Sequence, residues 1–334
     1  MGAQLVGGRV RHFGDAAAEV AVLETAGVVP LLGTGALRLT GTDRLEFLHG
    51  QVSNEVKRLA VGEGRAALLL NIRGHALALL RLYRRDDDLF VAAEGGSVAK
   101  LEAELRAHIV FDQVELQNLS DTLMTLTLQG TDAAQTLRKA FGSKWPTADT
   151  FSADTFIQIP FASAKVLVSP VARSRAGGFD LHVPTRDATD LLDALQNAGA
   201  GLAGEDALTA LRIQAGIAEA EFEGGEGILP QESGLEYAVS YRKGCYLGQE
   251  IMARIEARGK VRRRLVGLRL TALPEPGIRD LTKNGKTVGR LGSAANHPHL
   301  GVIALGSVRT EVEVGAGLEV GGVSGLVSEL PLTG

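Results

Sequence analysis

Apolar positions along this chain come in two textures. Through the first two thirds, alternating runs give way to runs spaced at three and four, and then return. Leu37 and Leu39 alternate with polar neighbours; Gly41, Thr42 and Asp43 follow, and then Leu45 and Leu48. The same order recurs at Leu126, Leu128, Gly130, Thr131, Asp132 and Leu137. Each stretch reads as a strand, a glycine turn, an Asp cap and a helix. Glu46 lies three residues after Asp43, and Gln135 three after Asp132, which is the spacing of a capping box. Gly50 and Gly142 stand where these helices stop. The repeat predicts two similar α+β lobes.

Further elements follow the same rules. Ala66 to Leu70 and Ala76 to Tyr83 are apolar runs on either side of Asn71 and Gly74, a predicted hairpin. Val98, Leu101, Leu105 and Ile109 recur at helical spacing behind Ser97 as cap. Phe156 to Val168 and Phe179 to Val183 read as strands. Leu191, Leu192 and Leu195 mark a helix ending near Gly199, and Ala207 to Ala215 another, stopped by Gly216. From about Val261 helical periodicity is gone. Leu265 to Leu270, Thr287 to Leu291, Val302 to Val308 and Leu318 to Val320 are short strands between turns. Asn284 and Gly285 form a hairpin turn. This part is a small all-β unit, a barrel or sandwich.

Composition narrows the class. The chain has 334 residues, enough for two or three domains. No run approaches the ~20 apolar residues of a membrane span, and the first residues lack the pattern of a secretory signal. A single cysteine excludes an internal disulfide and a multi-cysteine metal site. The expected home is a reducing cytoplasm. His297 and His299, without acids nearby, read as a loop and not as a metal pair. The net charge of −4 disfavours direct nucleic-acid binding. Locally the charge is uneven. Glu219 to Glu236 holds six glutamates and no lysine or arginine, whereas Arg242 to Arg269 holds nine basic residues against Glu250 and Glu256. The acidic part reads as a solvated face. The basic part reads equally as a solvated face or as an anion site for a carboxylate tail, a phosphate or RNA.

The densest chemistry is Lys243-Gly244-Cys245-Tyr246-Leu247-Gly248-Gln249-Glu250. Lys243 and the arginines after it can lower the Cys245 pKa and make the thiol reactive. No histidine is adjacent in sequence, so a covalent role through a local base is not expected. With Arg212, Ile213, Gln214, Ala215 and Gly216 upstream, and Arg254, Arg258 and Arg262 to Arg264 downstream, the segment resembles the YgfZ family. These proteins are folate-binding relatives of the glycine-cleavage T-protein, the tetrahydrofolate-dependent aminomethyltransferase. Lys243, Cys245, Gly248 and Gln249 fill the pattern that marks the family.

The resemblance implies a fold, a ligand and a role. The fold is α+β: two lobes, one ferredoxin-like, and a C-terminal β-barrel, packed like a clover leaf around a central channel. The implied division is 1–115 with 203–255, then 116–202, then 256–334. The ligand is tetrahydrofolate or a reduced derivative. The ligand-binding candidates are Asn54, Asn71, Arg212, Gln214, Lys243, Tyr246, Gln249, Glu250, Arg254 and Arg258, with Cys245 as a redox or cluster-related centre and no metal site. Pro230, Gln231 and Glu232 are expected at the channel mouth. The role is help in assembling or repairing iron–sulfur clusters, with iron–sulfur proteins or assembly factors as partners and an indirect effect on tRNA modification. The chain departs from T-proteins in the hairpin. They carry an acid there that positions N5 of tetrahydrofolate, whereas Ala78 and Leu79 stand here and no carboxylate lies between Asn71 and Arg85. Gln214 replaces a glutamate, and Arg175 to Asp180 keeps only the Gly-Phe-acid ending of a T-protein segment. The expected protein therefore binds folate without being a working aminomethyltransferase. A true transferase and a folate-free RNA- or protein-binding adaptor are the alternatives.

Overall fold

The structure, a computed structural model, describes every residue except 1, 96–97, 147–150 and 153. The chain opens with β1 (Gln4–Val6), β2 (Arg9–His12), α1 (Ala16–Thr25) and β3 (Gly27–Leu31). Lobe one contains β4 (Gly35–Thr40), α2 (Arg44–Gln51), β5 (Gly64–Leu70), β6 (Ala76–Arg84), β7 (Leu89–Ala93), α3 (Val98–His108) and β8 (Glu115–Asn118). Lobe two contains β9 (Leu123–Gln129), α4 (Ala133–Phe141), β10 (Ile157–Phe161), β11 (Ala164–Pro170), β12 (Gly178–Pro184), α5 (Ala188–Asn197) and β13 (Gly201–Leu202). Then come α6 (Glu205–Ala215), a long connector and α7 (Gln249–Arg258). The chain ends in β14 (Arg263–Leu270), β15 (Asp280–Lys283), β16 (Lys286–His297), β17 (Gly301–Arg309), β18 (Gly317–Val320) and β19 (Val323–Ser328).

The two lobes follow one path. Each runs strand, helix, three-strand meander, helix, strand. The sheet orders are β5-β6-β7-β4-β8 and β10-β11-β12-β9-β3-β13. Set β3 aside and the orders coincide, each a ferredoxin-like sheet with one added edge strand. The sequence repeat thus marks a repeated topology, and both lobes carry the form expected of one. β3 comes from the first 31 residues yet sits in lobe two, antiparallel to β9 and parallel to β13. It crosses the division expected at residue 115. Its residues are buried on both faces, so it needs an interior place in a sheet. The last six strands close into a barrel in the order β14-β17-β16-β15-β18-β19. The turn between β15 and β16 has Asn284 at φ 51 and Gly285 at φ 73, the two positive angles that a type I′ turn requires.

Each body has its own core: Leu37, Leu48 and Leu80 in lobe one, Leu126, Leu137 and Leu181 in lobe two, and Val266, Leu281 and Ala304 in the barrel. Tyr83 and Phe90 of lobe one meet Phe156 and Leu167 of lobe two in a smaller cluster. Three local readings change. Asp43 and Asp132 precede their helices without a side-chain capping bond. Asp43 instead accepts from the Gln113 amide at 2.8 Å. Gly142 ends α4, but α2 continues through Gly50 to Gln51. Finally, the run from Phe156 to Val168 is a hairpin of two strands, turned at Ala162, where φ is 47. The Ser97 cap lies outside the described residues.

Candidate functional site

A cleft of about 740 Å³ opens where the two lobes meet the connector. Lobe one supplies Arg65, Ala66 and Arg81; lobe two supplies Pro170, Val171 and Ala172; the connector adds Gly216 to Ala218, Tyr237, Val239 and Ser240. Gly234, Asn54 and Asp154 complete the lining. The Asn54 amide donates to the Ala66 carbonyl at 2.9 Å, which fixes it beside β5. Ser53 ties the connector down, donating to Ala238 O at 2.6 Å and accepting from Leu68 N at 2.8 Å. The cleft joins apolar walls to a few polar groups and falls within the ~300–1,000 Å³ of small-molecule sites.

Behind the cleft lies a chain of ion pairs that joins the lobes. Arg81 Nε is 3.2 Å from Glu94 Oε1, and the same oxygen lies 3.1 Å from Arg173 Nη2. Arg173 then holds Asp180 with two bonds, Nη2 to Oδ2 at 2.6 Å and Nε to Oδ1 at 3.1 Å. Burial alone would raise the Asp180 carboxyl pKa, but Arg173 holds it below the ordinary value. Arg173 and Glu94 also line a small, acid-rich cavity of about 40 Å³ with Arg9, Glu205 and Glu219. Burial pushes Glu205 there up to about 7, against the pull of Arg9. The chain therefore stands between the cleft and this cavity.

Arg212 makes a second buried knot. Its guanidinium donates to Ile217 O at 2.6 Å, Glu223 at 3.0 Å and Ser293 Oγ at 2.6 Å, and its Nε lies 3.3 Å from Glu219. These contacts tie α6, the connector and barrel strand β16 together, and Arg212 is 2% exposed. Gln214 accepts from Leu332 N at 2.8 Å through its backbone carbonyl. Neither residue is among those lining the cleft. Gly216 takes φ 77 and ends α6, so the chain can turn into the cleft wall.

The cysteine segment is built around Lys243. The ammonium donates to the carbonyls of His49 and Val52 at the C-terminal end of α2, the latter at 2.6 Å. It also lies 4.7 Å from the centre of the Tyr246 ring. A cation there satisfies carbonyls that the helix leaves unpaired. Burial brings the Lys243 pKa down to about 8. Lys243 and Tyr246 are buried, whereas Cys245 is exposed. His49, distant in sequence, comes beside this loop: its Nε2 is 3.7 Å from where a Cβ on Gly244 would stand. Beyond Gly248, α7 buries Met252 against the hairpin turn at Gly74 and leaves Glu250, Arg254 and Arg258 exposed. Asn71 organises that turn, accepting from Arg73 N at 2.9 Å and His75 N at 3.0 Å.

Of the ten ligand candidates, then, Asn54 lines the cleft. Arg212, Lys243 and Tyr246 are spent on internal contacts, Asn71 shapes a turn, Gln214 stands off the lining, and Gln249, Glu250, Arg254 and Arg258 lie on α7. Glu232 accepts from the Arg262 and Arg263 amides, both at 3.1 Å, so Pro230 to Glu232 braces the barrel entry and not the cleft mouth. His297 Nδ1 accepts from His299 N at 3.2 Å in a turn. Among the described residues no group of three His, Cys, Asp or Glu is placed to hold a metal, and no helix is long and apolar enough to cross a membrane. Arg65, Arg81, Asp154, Tyr237 and Ser240 are lining residues that the sequence reading missed. Arg81 had a signal: it is the one charge inside the apolar run from Ala76 to Tyr83. The hairpin departure is visible as well. Ala78 is buried in the lobe-one core, and Leu79 packs under the connector against Ala218 and Val239, with no carboxylate in either place.

Residues 10–243 match the GCVT N-terminal domain, and residues 262–331 match the CAF17 C-terminal β-barrel domain. An aminomethyltransferase of Exiguobacterium sibiricum is 30% identical over 297 residues, covering 87% of this chain and 80% of that one. A putative chloroplastic transferase of Arabidopsis thaliana is 27% identical over 313 residues, covering 91% and 70%. Among solved structures, the glycine cleavage system aminomethyltransferase T from Bartonella henselae superposes with a TM-score of 0.83 at 20% identity, over 97% of this chain and 91% of that one. At that identity the likeness shows a shared fold.

Proposed function

We propose, from the premise that this chain belongs to the GCVT family with a CAF17-type barrel, the YgfZ/CAF17 family, that it binds a reduced folate between its lobes without transferring a one-carbon unit. The observation that carries this is the cleft of about 740 Å³ together with Leu79 on the hairpin beside it. The residues present suit such a ligand. Ala66, Pro170, Val171, Ile217 and Val239 offer flat apolar walls to a ring, Asp154 an acceptor for an aminopyrimidine edge, and Arg65 and Arg81 cations for a carboxylate tail. What is missing is a carboxylate on the hairpin to stabilise a developing positive charge at the reacting nitrogen. Titration with tetrahydrofolate tests the binding. Release of ammonia from an aminomethyl-lipoyl carrier tests the chemistry, and turnover at the rate of a T-protein would overturn the reading.

The same reading carries the wider role implied by the YgfZ resemblance. The protein helps assemble or repair iron–sulfur clusters in the cytoplasm, with cluster proteins or assembly factors as partners and tRNA modification downstream. Its support is the Lys243 to Glu250 segment, whose cysteine stands exposed while its lysine anchors the loop. Failure of Cys245→Ala to restore cluster-dependent enzymes in cells lacking the protein is the expected result; full restoration removes the cysteine from the role. Asp154 favours one rival. It is the carboxylate in the cleft lining, and curated relatives are named aminomethyltransferases. An acid supplied by lobe two would leave transfer possible, and the ammonia assay on Asp154→Asn against wild type decides it.

A further inference from the structure

The cleft has a sided character that folate binding alone does not require. Behind it runs the ion-pair chain, of which Arg81 is the member that lines the cleft. Asp180, on β12, is 1% exposed and doubly bonded to Arg173, so its carboxylate is committed to the protein. Glu94 is shared between Arg81 and Arg173. Asp180 uses both its oxygens on Arg173 and has none to offer the hydrogen-bond donors of a ligand ring, whereas Glu94 is engaged by both arginines through Oε1. The open end is different. Arg81 lines the cleft with a side chain 19% exposed, and it meets Glu94 through Nε. Tyr237 lines the cleft with it and is 55% exposed. Arg65 lines the same cleft, with no ion pair among the described residues. An arginine held at Nε by an acid keeps its two terminal nitrogens for a second partner, and that pair can meet a carboxylate as a fork.

Resting on the folate reading, we propose that Arg81, assisted by Tyr237, is the anchor for a carboxylate of the ligand tail, and that the Arg81–Glu94–Arg173–Asp180 chain closes the inner end of the cleft. The site is then a blind pocket that selects its ligand by an anionic group, and the passage to the acid-rich cavity is shut to a ring. The Glu94 carboxylate has two functions in this arrangement. It orients Arg81, and it couples that orientation to lobe two through Arg173. Arg81 is therefore both a ligand contact and the outermost link of the interlobe chain.

The test is calorimetric titration of the full chain with three probes: tetrahydrofolate, p-aminobenzoylglutamate as the tail alone, and tetrahydropterin as the ring alone. Wild type is expected to bind the first two more tightly than the third. Arg81→Gln should weaken both at least tenfold, Arg81→Lys should recover part of the loss, and the affinity for tetrahydropterin should not move with either change. Tyr237→Phe, at an exposed position, should weaken the tail probe several-fold without affecting folding, which keeps the proposal testable where Arg81→Gln is unstable. Tetrahydropterin binding as tightly as tetrahydrofolate, or a tail affinity indifferent to Arg81 and Tyr237, overturns the anchor while leaving the folate reading in place. Tail binding without tetrahydrofolate binding has the opposite effect: the anchor stands and folate is the wrong ligand. No binding of any probe sinks both.

Discussion

Lobe one and lobe two trace the same path, but they bring different groups to their shared wall. Lobe one ends its contribution at Arg81, with a side chain 19% exposed; lobe two ends at Asp180, with a side chain 2% exposed. Between them, Glu94 and Arg173 complete a chain that runs from the cleft lining into the core. A repeated topology thus supplies the walls, and a handful of unrepeated side chains decides what those walls can do. A charge near the mouth can serve a ligand, whereas one sealed inside can serve only its partner.

The largest effect should come from the sealed end. Asp180→Ala leaves Arg173 with Glu94 alone, and breaking a buried pair costs about 3–5 kcal/mol. Urea unfolding should show that loss. A change below about 1 kcal/mol would mean that the inner end is wetter than the structure indicates. Arg81→Gln, at the open end, should cost only about 1 kcal/mol in the same experiment, and equal losses at both ends would break the comparison.

The lobe interface should also respond to acid. His182, on β12, is 2% exposed, its Nδ1 is 2.9 Å from Thr125 Oγ1, and its ring is 5.0 Å from that of Phe90. Burial brings its pKa down to about 4, with Asp180 opposing and Arg173, Arg81 and Arg85 adding to the fall. A folded pKa below the ordinary value near 6.5 means that the unfolded chain binds the extra proton first. Stability from this group is complete above about pH 6.5 and is lost as the pH falls to about 4, by up to about 3 kcal/mol. His182→Gln should flatten unfolding midpoints across that window, and an unchanged slope would assign the acid response elsewhere. A smaller effect is expected outside the lobes. Gly285→Ala in the β15–β16 turn, at φ 73, should cost about 1 kcal/mol. Smallest of all, Cys245→Ser should change stability by less than about 0.5 kcal/mol, and iodoacetamide should label the native protein; labelling only after denaturation would contradict the exposed thiol.

What could be read from the sequence was local. Gly216 stops α6, Asn284 and Gly285 turn the barrel hairpin, and the Gly41 and Gly130 units mark two lobes because each signal lies within a few residues of its effect. The cleft does not work that way. Arg81 and Asp180 come from β6 and β12, Glu94 and Arg173 from the segments after β7 and β11, and no spacing announces their meeting. Lys243 shows the opposite difficulty. It stands in the most polar segment of the chain and reads as an activator of Cys245, but its ammonium is buried on the end carbonyls of α2. A charged residue in a motif is as useful for holding a loop as for chemistry, and only the partner at its tip distinguishes the two.

The central claim is that the interlobe cleft is where a reduced folate binds. Ala172 is exposed on the cleft wall in lobe two, so a large side chain there fills the space without disturbing a core. The most direct measurement is a tetrahydrofolate titration of wild type against Ala172→Trp, with unfolding curves to show that both are native. Saturable binding by wild type and its loss in the filled variant are predicted. Equal affinity in the two proteins, or no heat from wild type at millimolar folate, would contradict the account.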